Sequence, residues 1–186
     1  MQPNASNASP DATKSDVSTS KAVPATQRRI AVLSIPVVVS LVVVLCDRIT
    51  KIAAERYLKF YTPYSLYEDY LRLVLWYNDG AAFGLRLGSQ WVHIALSLVA
   101  MVLVGYLIWH TPRGDRFGLW GFGLIMGGAL GNLWDRLIAG HVTDFIDVGI
   151  GAYRWPTFNL ADGSVVVGIC LLVLGHLWFP RTQKNP

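Results

Sequence analysis

The chain has 186 residues, of which 53% are apolar and 15% charged, and carries a formal charge of +4. The length fits one domain, and a charged fraction well below the about 25% of soluble domains points to a membrane protein. The mild, dispersed positive charge excludes a nucleic-acid footprint and fits charge flanking membrane spans.

Residues 1–27 are rich in Ser, Ala, Asn, Thr, Asp and Lys and contain no aromatic residue, which predicts a disordered, cytoplasmic N-terminal extension. Arg28 and Arg29 precede a first apolar run over about 30–46. Its exit, Cys46-Asp47-Arg48-Ile49-Thr50-Lys51, lacks the small-residue cleavage pattern of a secretory leader, so it reads as a retained span. Three further runs cover about 91–109, 117–134 and 163–179. About 20 helical residues cross the hydrocarbon core, so these are short spans. Trp91, Trp109, Trp120, Trp134 and Trp178 near the run ends suit the membrane interface. Cys46 and Cys170 fall inside apolar runs, form no metal or disulfide pattern and read as small buried hydrophobes.

Four spans put both termini on one side. Arg28 and Arg29, Arg113 and Arg116, and Arg181 and Lys184 place that side in the cytoplasm, with 181–186 as a tail. The loop 47–90 cuts the other way, with Arg48, Lys51, Arg56, Lys59, Arg72 and Arg86. It shares the outer face with loop 135–162. Leu71–Tyr77 reads as a strand, and Thr143 to Tyr153 as another broken by Gly149 and Gly151. The expected fold is an all-α membrane core, a four-transmembrane-helix bundle with a small, cradle-like β-sheet on the extracytoplasmic surface.

Chemistry concentrates at the span edges. Asn132, Asp135 and Arg136 share one helix face at the end of the third span, beyond the small residues Gly127, Gly128, Ala129 and Gly131. A packing motif explains the glycines, but not an amide one turn inside the membrane. Asp47 and Lys51 at i, i+4 read as an interfacial ion pair, and Asn78-Asp79-Gly80 reads locally as a turn. Asp162 opens the fourth span, where a helix N-cap is an alternative role. Asp144 has no such role in its apolar stretch, and Asp147 is its rival. The topology brings Asp144 and Asp162 to one face. Two carboxylates held close share a proton and can hydrolyse a peptide bond as an acid/base pair. His93, His110, His141 and His176 have no ligand spacing, so no metal or cofactor is expected, and His93 and His176 read as satisfied span residues.

Five ordered blocks carry a resemblance to a known family. They are Asp47 to Lys51, Asn78-Asp79-Gly80-Ala81-Ala82-Phe83-Gly84, Gly127 to Arg136, Val142 to Ile146, and Phe158 to Asp162. Together they resemble the lipoprotein signal peptidases (signal peptidase II), bacterial aspartic endopeptidases of the inner membrane. The resemblance covers most of 30–180 and implies a peptidase domain over 28–180 with Asp144 and Asp162 as catalytic pair. It implies that Asn78, Asn132, Arg136 and Asn159 line the polar part of the site. Gly80, Asp47 and Lys51 would support it. The implied substrate is a diacylglyceryl-modified prolipoprotein, cut just before the lipidated cysteine on the outer face. Membrane lipid would be the surrounding partner, globomycin an inhibitor and the monomer the working state. The chain departs from the family pattern at Arg48, at Gly163, and in the short Leu85–Gln90 stretch. A proton relay or transporter using the same carboxylates would need charge inside the second and fourth spans, which carry only His93 and His176. A membrane assembly protein docking through the third span is the other alternative.

Overall fold

The computed structural model describes residues 25–80, 90–112 and 114–178. The expected N-terminal extension (apart from residues 25–27), Ala81–Gly84 of the second block, residues 85–89 of the short stretch and the tail 181–186 lie outside the described residues. The elements in chain order are α1 (Ala25–Tyr57), β1 (Tyr64–Tyr67), β2 (Leu71–Asn78), α2 (Gln90–His110), α3 (Arg116–Ile138), β3 (Val142–Ile150), β4 (Tyr153–Arg154) and α4 (Leu160–Trp178).

Among the described residues, three helical stretches, Leu33–Tyr57, Gln90–His110 and Leu160–Trp178, are long and apolar enough to cross a membrane. Only 28%, 17% and 11% of their apolar windows are buried inside the protein. Rows such as Leu41 and Leu45, Val99 and Val102, and Val166 and Val167 point outward. Apolar surface on this scale belongs in hydrocarbon. Cys46 and Cys170 lie on it as exposed residues, not in the protein core as the sequence suggests. In a membrane helix an apolar residue faces lipid as readily as a neighbour, so hydrophobicity does not report burial.

The fourth long helix, α3, does not reach that apolarity. It packs against α1, α2 and α4 and so forms the centre of the bundle. Its glycines explain both facts. A Cβ at Gly123 would lie 2.9 Å from Pro36 Cα on α1, and one at Gly121 would lie 2.9 Å from the Gly168 carbonyl oxygen on α4. Missing side chains let the backbones approach where lipid offers no hydrophobic drive for association. The Ser40 hydroxyl reinforces the α1 contact, 2.7 Å from the Pro36 carbonyl oxygen and 2.9 Å from that of Gly123. Gly140, just past the C-cap Ala139, turns the chain out of α3 with φ 78°.

α1 does not stop near Cys46. It continues to Tyr57, which leaves Asp47 and Lys51 in mid-helix. The sheet order is β1-β2-β3-β4, with every neighbour antiparallel. β2 and β3 pair directly although α2 and α3 separate them in sequence. β1, exposed along its whole length, has no burial alternation to announce it. Between the pairs Leu73↔Ile146 and Trp76↔Asp144, three residue steps on β2 match two on β3. This bulge flips the facing of β2 relative to β3, so Asn78 and Asp144 share a face.

Replacing Gly123 with Leu should lower stability by about 1–3 kcal/mol through overpacking against α1. Gly105→Leu, where nothing lies within 4 Å, should not lower it, because an open helix-interior glycine gains helix propensity on replacement. Thermal unfolding of the purified protein in detergent checks the pair.

Candidate active site

The start of α4 builds the first half of the site. The Asn159 side-chain oxygen accepts the Asp162 backbone N–H at 3.0 Å, and Asp162 Oδ2 accepts the Asn159 backbone N–H at 3.2 Å. This is a reciprocal capping box with Asn159 as N-cap and Asp162 three residues on. The N-cap alternative for Asp162 is therefore corrected: Asn159 takes that role. Asp162 Oδ1 is left to accept the Asn132 amide at 2.8 Å from α3.

β3 brings the second carboxylate. Asp144 is 1% exposed. Its Oδ1 accepts the Asn159 Nδ2 donor at 2.7 Å and its Oδ2 the Asn78 Nδ2 donor at 2.9 Å. Asn159 Nδ2 also lies 3.1 Å from Asn132 Oδ1. Asp144 and Asp162 are thus joined through two amides. Burial first, and the charge of Asp162 second, push the Asp144 carboxyl up to about 7. The bonds from Asn78 and Asn159 and the charge of Lys51 oppose this without offsetting it. Asn78 keeps its turn chemistry as well, since its oxygen accepts the Gly80 backbone N–H at 2.9 Å. That backbone bond is how Gly80 joins the network.

Asp147 points to the other face of β3. Arg72, its cross-strand partner, donates to Asp147 Oδ2 from Nε at 2.8 Å and lies 2.7 Å away through Nη2. Arg154 Nε donates to Oδ1 at 2.9 Å. Burial raises the Asp147 carboxyl, but the Arg154 and Arg72 bonds outweigh it and hold the group below its ordinary value. Asp144, not Asp147, stands beside Asp162.

Beneath the carboxylates lies a buried charge cluster. Lys51 is fully buried, with Nζ 2.7 Å from Asp47 Oδ2, 2.8 Å from Asp135 Oδ2 and 3.1 Å from Asn132 Oδ1. Asp47 Oδ1 accepts the Ala161 backbone N–H at 3.0 Å, next to Asp162. Asp135 Oδ1 accepts Arg48 Nη1 at 2.9 Å. Two cations meet two carboxylates, so the departure at Arg48 completes a balanced set. Asp135 is the member that sequence reasoning passed over as a site residue, and its place on the Asn132 face was the signal. Arg136 is half-buried, donates to the Asn132 carbonyl at 3.3 Å and interacts electrostatically with Asp162 and Asp144. His93 is buried, but its Nε2 has no partner among the described residues, so it is not the satisfied residue expected. A cavity of about 610 Å³ lined by Phe117, Phe122, Leu172 and His176 lies at the opposite end of α3 and α4, away from this network.

Known proteins show the same architecture. The profile of the family described as Signal peptidase (SPase) II matches residues 39–178. The lipoprotein signal peptidase of Francisella tularensis subsp. novicida (strain U112) is 38% identical over 146 residues, covering 76% of this chain and 90% of the relative. That of Burkholderia mallei (strain SAVP1) is 41% identical over 143 residues, covering 75% and 85%. A bacterial membrane enzyme solved in meso at 2.3 Å superposes with a TM-score of 0.72 at 27% identity, over 81% of this chain and 92% of that one. A second, solved at 1.9 Å, gives 0.69 at 28% identity, over 77% and 93%. The class is that of membrane aspartic peptidases. The chain belongs to the signal peptidase II family.

Lys51→Met would strand two buried carboxylates and should cost about 3–5 kcal/mol. Arg48→Gln removes a pair whose arginine is 35% exposed, and should cost less than about 1 kcal/mol. Unfolding midpoints of the two variants test this ranking.

Proposed function

We propose that this enzyme removes the signal peptide from diacylglyceryl-modified prolipoproteins, cutting just before the lipidated cysteine with water activated by Asp144 and Asp162. The observation that carries the reading is the junction of the two carboxylates through Asn132 and Asn159, at the end of helices with apolar outer surfaces. In this reading α3 crosses the bilayer inside a sheath of the other three, making four spans over 28–180. Both termini are cytoplasmic, the membrane is the bacterial inner membrane, and the sheet and site lie on the outer side. The substrate's acyl chains stay in the bilayer while the scissile bond reaches the interface. The protein works as a monomer and globomycin blocks it.

Asp144 carries the shared proton, because burial and the neighbouring charge raise its carboxyl. Asp162 is the base. A water gives one proton to Asp162 while its oxygen attacks the scissile carbonyl carbon, and Asp144 gives its proton to the carbonyl oxygen. The tetrahedral diol then collapses. Asp162 passes its proton to the leaving nitrogen, the C–N bond breaks, and Asp144 takes back a hydroxyl proton. The products are a carboxyl on the signal peptide and a free amine on the lipidated cysteine.

The polar residues divide in role. Asn159 is fully buried with both amide ends engaged, which suits positioning. Arg136 and Asn78 are partly exposed and have hydrogen-bonding capacity left for substrate backbone. Asp47 and Lys51 support the site from below.

Purified full-length protein and a lipidated precursor peptide, with and without globomycin, test the proposal. Asp144→Asn and Asp162→Asn should each lower kcat about a thousandfold or more. Either variant processing the precursor at the parent rate would remove the pair from the mechanism.

The pH profile gives a second expectation. The Asp144 carboxyl is raised, so its acid form persists below pH about 7 and is lost as pH rises through it. kcat/KM should therefore fall on the alkaline side near pH 7, with an apparent pKa belonging to the pair. Initial rates across the neutral range check the sign.

A further inference from the structure

We infer that Glu55 is a positioning residue for Asp144, acting through the hydroxyl of Thr143. Asp47, Lys51 and Glu55 stand at i, i+4 and i+8 and form one stripe along α1. Each member reaches a different element of the site. Asp47 holds the Ala161 N–H of α4, beside Asp162. Lys51 holds Asn132 and Asp135 of α3. Glu55 Oε1 accepts the Thr143 hydroxyl of β3 at 2.7 Å, beside Asp144. The stripe works as a ruler that sets three separate elements against one helix, and Glu55 is the mark for the strand.

The local structure makes that mark necessary. Thr143 is 3% exposed, so its hydroxyl needs a partner. Its backbone N–H lies a long 3.5 Å from Asp135 Oδ2, which leaves the Glu55 bond as the short tie to the helices. The pairing of β3 with β2 is interrupted by the bulge immediately before the Trp76↔Asp144 pair. Beyond the ladder, the Phe145 and Ile146 N–H groups bond the Phe158 carbonyl at 3.1 and 2.8 Å and fix β3 from the α4 side, and Glu55 supplies the tie from the α1 side. Glu55 itself is exposed on a well-formed helix, so its replacement changes alignment without unfolding the protein.

The inference rests on Asp144 being a member of the catalytic pair. The test uses the full chain in detergent with a lipidated precursor peptide. Glu55→Ala and Thr143→Val should each lower kcat about tenfold with KM within about twofold, because a small misplacement of a reacting group costs rate more than binding. The double variant should be no slower than the slower single one, as expected for two ends of one bond. Glu55→Gln keeps a carbonyl oxygen acceptor and Thr143→Ser keeps the hydroxyl, so both should recover most of the rate. Parent kcat in Glu55→Ala, a loss confined to KM, or Glu55→Gln as slow as Glu55→Ala would each overturn the inference. Asp144→Asn separates the two layers. An inactive Asp144→Asn beside a fully active Glu55→Ala defeats the positioning role alone, whereas an active Asp144→Asn defeats the pair on which it rests.

Discussion

The ammonium of Lys51 is fully buried within the protein and carries three donors and no acceptor. An isolated charge in that position would be prohibitively costly, so each donor must meet an oxygen. Asn132 Oδ1 accepts a hydrogen bond at 3.1 Å, and the Asp47 and Asp135 carboxylates lie at ion-pair distance, 2.7 and 2.8 Å. The consequence runs outward. Because Lys51 can only donate, Asn132 must turn its oxygen toward it and its amide nitrogen toward Asp162. Asn159 then aims its nitrogen at Asn132 and Asp144, and its oxygen at the Asp162 backbone N–H. The orientation of Asn132 and Asn159, the two amides that join the carboxylates, follows from one cation that cannot accept a hydrogen bond.

Membrane surroundings make such a network affordable. The apolar outer faces of α1, α2 and α4 suit hydrocarbon, which offers no drive to press helices together. Close packing at glycines and polar contacts between helices take over that task. α3 illustrates the exchange. It gives up apolar side chains for contact with α1 and α4, and ends in the residues that organise the charge cluster. The same helix is bundle core at one end and site wall at the other.

Much of this was legible in the chain. α2, α3 and α4 lie on the apolar runs while α1 continues well past its own, and β2 and most of β3 lie where aromatic and β-branched residues predict. Asp144 announced itself as a carboxylate in an apolar strand. Other features were not legible because they depend on partners far away in sequence. The choice between Asp144 and Asp147 turns on Arg72 and Arg154 holding the latter. The place of Asp162 in the network turns on α3 bringing the Asn132 amide to it. Asn78 reads as a turn residue, and only the bulge in β2 places it on the face of Asp144. Arg48 and Asp135 are ordinary charges until α1 lies against α3.

The sequence by itself determined most of the helix and strand, though not β1 or the end of α1, together with which segments suit hydrocarbon and which polar residues stand where a polar group is costly. Those properties are local, set by hydropathy, periodicity and backbone preference. Tertiary structure alone decided that residues 47, 51, 132, 144, 159 and 162 form one network, and which way each amide faces within it. That outcome depends on helix approach at glycines and on strand register across a bulge. Both are properties of pairs of distant segments, and no single segment encodes them.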